Sequence, residues 1–127
     1  MTLRVLIVDD SKLARMVMTS ALRRLRPDYA IVEAASADDA LKAVSDDTAD
    51  IALVDFNMPG MDGLKLVEKI RQARPDMPTA IVSANLQDEI ISRTRELGAA
   101  FIGKPLTDEA LGAFLSGATL KLKKAAR

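Results

Sequence analysis

Three carboxylates, a hydroxyl and an ammonium each stand where a short apolar run ends. Asp9 and Asp10 follow Leu3–Val8, and Asp55 follows Ile51–Val54 in the segment Val54-Asp55-Phe56-Asn57-Met58-Pro59-Gly60. Ser83 follows Thr79–Val82 and precedes Ala84 and Asn85; Lys104 follows Ala99–Ile102 and precedes Pro105. In an open α/β sheet, ligands bind outside the carboxyl ends of the strands, so these groups are expected to converge on one edge. Three clustered carboxylates repel, and some are driven to hold protons unless a cation intervenes. Donors limited to oxygen select a hard ion, Mg²⁺ or Mn²⁺. Lys104 offers a compact positive charge suited to a phosphate. Carboxylate, metal, lysine and hydroxyl together equip a site for phosphoryl transfer, with a carboxylate as the nucleophile. Singly, each has an ordinary structural role: helix cap, turn residue, helix entry. Their joint placement is what carries the functional reading.

The elements that must position them are legible as alternating patterns. Five apolar runs, Leu3–Val8, Ala30–Val32, Ile51–Val54, Thr79–Val82 and Ala99–Ile102, read as strands of a parallel sheet. Helical stripes lie between them. Leu13, Met16, Val17, Ala21 and Leu25 form one, stopped by Pro27; Ser36 caps a second that carries Leu41 and Val44. Leu64, Val67, Ile70 and Ala73 form a third, ended before Pro75. Ile90, Ile91, Thr94 and Leu97 form a fourth, with Gly98 as its C-terminal cap. Thr107 caps the last, whose stripe is Leu111, Phe114, Leu115 and Ala118. The pattern predicts a (βα)5 doubly wound sheet, one domain over residues 1–120, and a short basic tail at 121–127 that reads as a solvated helix end.

Composition narrows the function further. The sequence has no cysteine and no histidine, which removes disulfides, thiolate and imidazole metal sites, and Ser-His-Asp catalysis. Acidic and basic residues balance at 18 each, and the aromatics are only Tyr29, Phe56, Phe101 and Phe114. A nucleic-acid partner is therefore not expected. No apolar run approaches a membrane span or a secretory signal, so membrane insertion is not expected and a cytoplasmic location is. Two motif matches fail. Gly98–Lys104 has the GxxxxGK spacing, but its interior reads as a strand and Pro105 follows. Asp55-Phe56-Asn57 with Gly60 begins like a calcium loop, yet its fifth position is Pro59 and its twelfth is Leu66.

Val8-Asp9-Asp10-Ser11, Asp55 through Gly63 and Lys104-Pro105, in this order and spacing, resemble the receiver domain of two-component response regulators over roughly Leu3 to Leu115. The resemblance implies a flavodoxin-like, CheY-like sheet of strand order 2-1-3-4-5. It implies that Asp55 accepts the phosphoryl group and that Asp10, Asp55 and the Asn57 backbone carbonyl hold Mg²⁺ (or Mn²⁺), with Asp9 acting through a bound water. Lys104 and Ser83 would bind the phosphoryl group. The backbone near Asn57 and Ala84 would complete its cradle, and Phe101 would stand at the aromatic switch. Asn57 and Asn85 would flank the phosphoryl group and tune its hydrolysis. The implied partners are a histidine kinase or phosphotransfer protein as donor and a downstream protein target on the face of the fourth helix, fifth strand and fifth helix, in chemotaxis or another phosphorelay. Position 83 is Ser where Thr is common, and 101 is Phe where Tyr is common. Gly103 is expected to add backbone freedom beside Lys104. The alternatives weighed are a small haloacid-dehalogenase-like phosphatase, a flavodoxin-like ligand binder, and the receiver portion of a larger regulator.

Overall fold

The computed structural model describes residues 2–125. Five strands, β1 (Arg4–Val8), β2 (Ala30–Ala34), β3 (Ile51–Asp55), β4 (Thr79–Ser83) and β5 (Ala100–Gly103), alternate with five helices. The helices are α1 (Lys12–Leu25), α2 (Ala37–Ser45), α3 (Gly63–Ala73), α4 (Asp88–Glu96) and α5 (Asp108–Ala125). The strands form one parallel sheet in the order β2-β1-β3-β4-β5. This is the doubly wound, CheY-like flavodoxin order predicted from the alternation and the resemblance.

Strand periodicity divides the core in two. Leu6, Val8, Ala52, Val54 and Ile81 pack with Ala40, Val44, Leu64, Val67 and Ile70 of α2 and α3. Val5, Ile7, Ile51, Leu53, Ala80 and Val82 pack with Met18 and Leu22 of α1 and Leu111 and Leu115 of α5. The sheet centre is fully buried, and each large apolar side chain there contributes about 1.5–3 kcal/mol. The same alternation, continued one residue past Val8 and Val54, gives Asp9 and Asp55 the parity of the α1/α5 side.

Local signals set the helix ends. Ser11, Ser36, Asp62 and Thr107 each accept a hydrogen bond from the backbone N–H three residues on. Helices α1 and α3 stop two residues short of Pro27 and Pro75. Gly98 follows α4 at φ +77°, where a side chain would be strained.

Three sequence expectations, on α1, α3 and Gly103, need correction. Leu13, Met16 and Val17 of α1 are exposed, at 70, 55 and 55%, while Met18, Ala21 and Leu22 face the sheet. Both rows obey helical spacing, so periodicity alone does not choose between them. Ala73 is exposed at the last turn of α3, beyond the reach of the core. Gly103 does not use left-handed backbone freedom; an added Cβ would lie 3.2 Å from Leu86, so the missing side chain makes room for that residue. The basic tail continues α5 through Ala125, and Leu122 packs on the α1/α5 core; Ala126 and Arg127 lie outside the described residues.

Candidate functional site

The turn after β1 is held by the atoms of Asp9. Its N–H donates to the Ala34 carbonyl at 3.1 Å, and its Oδ1 accepts from Ser11 N–H at 2.9 Å. Its carbonyl accepts from Arg15 Nη1 at 2.7 Å, and Arg15 Nε reaches Glu33 Oε1 at 3.1 Å. Oδ2 of Asp9 is buried and has no hydrogen-bond partner. An unpaired buried carboxylate oxygen is costly, and it marks where a cation or a proton belongs.

Asp10 is exposed, and Asp55 is buried at the end of β3. One carboxylate oxygen from each of Asp9, Asp10 and Asp55 lies within 4.8 Å of the others. Lys104 Nζ donates to Asp55 Oδ1 at 3.0 Å. One ammonium thus faces three carboxylates. Burial pushes the Asp9 carboxyl above the ordinary carboxylate range; the Ser11 N–H opposes this, the Asp55 and Asp10 charges reinforce it, and Lys104 opposes it. The cluster could hold a metal ion: its donors are all oxygen, one is unsatisfied, and excess negative charge remains after Lys104.

Ser83 is buried at the end of β4, in register with Gly103, and its carbonyl accepts from Lys104 N–H at 2.9 Å. Its Oγ accepts from Asn85 N–H at 2.9 Å, which leaves the hydroxyl proton to donate elsewhere. Phe101 pairs in register with Ile81 and is half-buried against the α2/α3 core. Asn57 and Ala84 are exposed and Asn85 is half-buried, on the loops after β3 and β4. The four residues Asp9, Asp10, Asp55 and Lys104 are therefore drawn together by direct proximity, whereas Ser83 ends β4, Phe101 lies on β5, and Asn57, Ala84 and Asn85 lie on the surrounding loops.

Sequence reasoning missed three supporting features. Arg15 sits one helical turn beyond the Ser11 cap, so its contact with Asp9 appears only once that turn is built. Gly63 closes against β3: an added Cβ would lie 2.7 Å from the Asp55 carbonyl oxygen and 2.8 Å from Phe56 Cα. An open groove of about 390 Å³ runs from Asp9 and Lys104 between Leu13 and Val17 of α1 and Pro105 and Leu106. The exposed apolar row of α1 forms one of its walls.

Comparison with known proteins identifies the family and the fold. The family description "Response regulator receiver domain" matches residues 5–116. A protein-glutamate methylesterase/protein-glutamine glutaminase from Methylobacillus flagellatus is 38% identical over 111 residues, covering 83% of this chain and 30% of that protein. The sensor histidine kinase RcsC of Salmonella typhi is 37% identical over 108 residues, covering 84% of this chain and 11% of the kinase. The chain thus spans about a third or less of the length of these relatives. Among solved structures, a CheY-like receiver domain protein from Methanospirillum hungatei superimposes with a TM-score of 0.87 at 27% identity, covering 98% of this chain and 99% of that one. The chemotaxis protein CheY4 of Vibrio cholerae gives 0.82 at 26% identity, covering 93 and 99%.

Proposed function

The chain belongs to the response regulator receiver family, and from that membership we propose that it is a phospho-accepting switch in which Asp55 is the acceptor. The observation that carries this reading is the buried Asp55 carboxylate, held at 3.0 Å by Lys104 inside the three-carboxylate cluster. An Asp55 oxygen attacks the phosphorus of a donor, such as the phosphohistidine of a histidine kinase or phosphotransfer protein. The donor's P–N bond breaks, and the released imidazole takes up a proton. Water later attacks the acyl phosphate, freeing inorganic phosphate and restoring the carboxylate.

The residues present fit Mg²⁺ or Mn²⁺, which Asp10, Asp55 and the Asn57 carbonyl would hold, with Asp9 as an indirect partner. The ion supplies charge neutralisation for an anionic nucleophile approaching an anionic phosphoryl group. Lys104 stabilises charge on the transferred oxygens. Ser83 donates its free hydroxyl proton to one of them without surrendering its bond from Asn85 N–H. Backbone groups near Asn57 and Ala84 complete the cradle, and the Asn57 and Asn85 side chains govern access of water. Phosphorylation adds charge and strong acceptors at Asp55. Ser83 is drawn inward, Phe101 turns into the vacated space, and the α4-β5-α5 face changes for a downstream protein target.

Similarity to a chemotaxis protein and to the receiver-length part of methylesterases favours an output within chemotaxis or a related phosphorelay. The chain's own chemistry is confined to phosphoryl acceptance and loss. No helix among the described residues is long and apolar enough to cross a membrane. The test is incubation with acetyl phosphate followed by intact mass measurement. One phosphoryl adduct that requires Mg²⁺ and disappears in Asp55→Asn supports the reading. An adduct that persists in Asp55→Asn, or turnover of phosphate esters without an adduct, overturns it.

A further inference from the structure

We propose that Arg15 is a positioning residue for the divalent-cation site, fixing the Asp9–Asp10 peptide so that Asp10 points at the other two carboxylates. The inference rests on the metal-assisted reading above. Asp10 is exposed, and among the described residues its carboxylate has no hydrogen-bond or ion-pair partner. With no side-chain partner, the one restraint on where that carboxylate can reach is the position of its backbone, from which the Cα–Cβ bond starts. That backbone lies just past the end of β1, where the ladder to β2 and β3 has stopped. Asp9 N–H and Oδ1 are tied to Ala34 and Ser11, but neither bond engages the carbonyl of the peptide that joins Asp9 to Asp10. The 2.7 Å bond from Arg15 Nη1 to the Asp9 carbonyl does engage it. The guanidinium is itself held: Nε is paired with Glu33 on β2, and the Arg15 side chain is only 15% exposed. A planar group with two fixed partners is a rigid strut, which a lysine can reproduce only in part, since it keeps one of the two bonds at a time.

Charge and position make opposite predictions, so the sign of one measurement decides between them. Arg15 carries positive charge near a cation site. On charge alone, removing it leaves Glu33 unpaired and tightens Mg²⁺ binding. On the positioning account, removing it lets Asp10 swing and weakens binding. Loss of groups that orient metal ligands typically costs 10–100-fold in affinity.

The experiment is calorimetric titration of Mg²⁺ into the full chain, with Mn²⁺ binding by electron paramagnetic resonance as a second readout and circular dichroism to confirm folding. Arg15→Met is expected to weaken Mg²⁺ binding about tenfold or more, and Arg15→Lys, which retains the charge and one donor, to fall between it and the wild type. Unchanged or tighter binding in Arg15→Met, or Arg15→Lys no better than Arg15→Met, overturns the proposal. Arg15→Gln has the same expected direction and serves if Arg15→Met does not fold. Asp10→Asn separates the two levels of the argument. If the wild type binds Mg²⁺ and Asp10→Asn does not, an unchanged Arg15→Met sinks the strut alone. A wild type that binds no Mg²⁺ sinks the metal reading and the strut together.

Discussion

Substituting Gly63 by alanine tests how the acceptor strand is seated. The new Cβ would meet the Asp55 carbonyl oxygen at 2.7 Å, Phe56 Cα at 2.8 Å and Ile81 Cδ1 at 3.1 Å. Two of these neighbours are backbone atoms of the acceptor segment, so no rotamer change relieves the clash. Either α3 lifts from the sheet or the end of β3 shifts. Overpacking of this kind costs about 1–3 kcal/mol, and the rigid neighbours place the expected loss at about 2–3 kcal/mol. Both routes also strain the 2.8 Å bond from Gly63 N–H to the Phe56 carbonyl. Urea unfolding followed by far-ultraviolet circular dichroism reads the stability, and the initial rate of phosphoryl incorporation from acetyl phosphate reads the site. Both are expected to fall. Two glycines calibrate the result. Gly112 in α5 has open space around its missing Cβ, so Gly112→Ala should stabilise by about 1 kcal/mol through helix propensity. Gly60 also has open space but sits at φ +82°, so Gly60→Ala should lose about 1–2 kcal/mol by backbone strain alone. Gly63→Ala within about 0.5 kcal/mol of the wild type, with an unchanged phosphorylation rate, would refute the contact argument.

The metal-free cluster should be strained. Asp9→Asn is expected to raise the thermal midpoint in chelator, because it removes a buried charge with an unpaired oxygen, and to lose that advantage in Mg²⁺; a lower midpoint in chelator contradicts the electrostatic account. At the opposite end of the sheet, Arg4 gives Asp50 a bidentate pair and a backbone N–H, holding the Asp50 carboxyl below its ordinary value of 3.8. That stability is present above the ordinary value and fades as pH falls through the depressed one. Asp50→Asn should therefore cost about 1–3 kcal/mol at pH 7 and progressively less in acid, as read by urea midpoints across pH; a loss independent of pH contradicts the assignment. On the exposed α1 row, Val17→Lys should slow transfer from a phosphodonor protein while leaving acceptance from acetyl phosphate unchanged, because it alters the groove wall and none of the acceptor groups. Equal slowing of both would show that the substitution disturbs the site itself.

The parts of the site that could be read in the sequence are those that follow strand ends. Asp9, Asp10, Asp55, Ser83 and Lys104 stand at the C-terminal ends of apolar runs, and a parallel sheet places all such ends on one edge. Caps and breakers such as Ser36, Thr107, Pro27, Pro75 and Gly98 act on their immediate neighbours, so they too were legible. What depended on contacts between distant segments was not. Leu13, Met16 and Val17 satisfy helical periodicity as well as Met18, Ala21 and Leu22 do, and only docking on the sheet chooses the buried row. Gly103 looks like a source of freedom until Leu86 is seen beside it. Gly63 and Arg15 belong to the site through β3 and β1, contacts with no signature in local spacing.

The most direct test of the central claim identifies the phosphorylated residue itself. After reaction with acetyl phosphate and Mg²⁺, borohydride reduces an aspartyl phosphate to homoserine, and tandem mass spectrometry of peptides places the change. Homoserine at position 55, and at no other aspartate, is the predicted result. Homoserine at position 9 or 10, or label on a serine such as Ser83 with Asp55 intact, would contradict it.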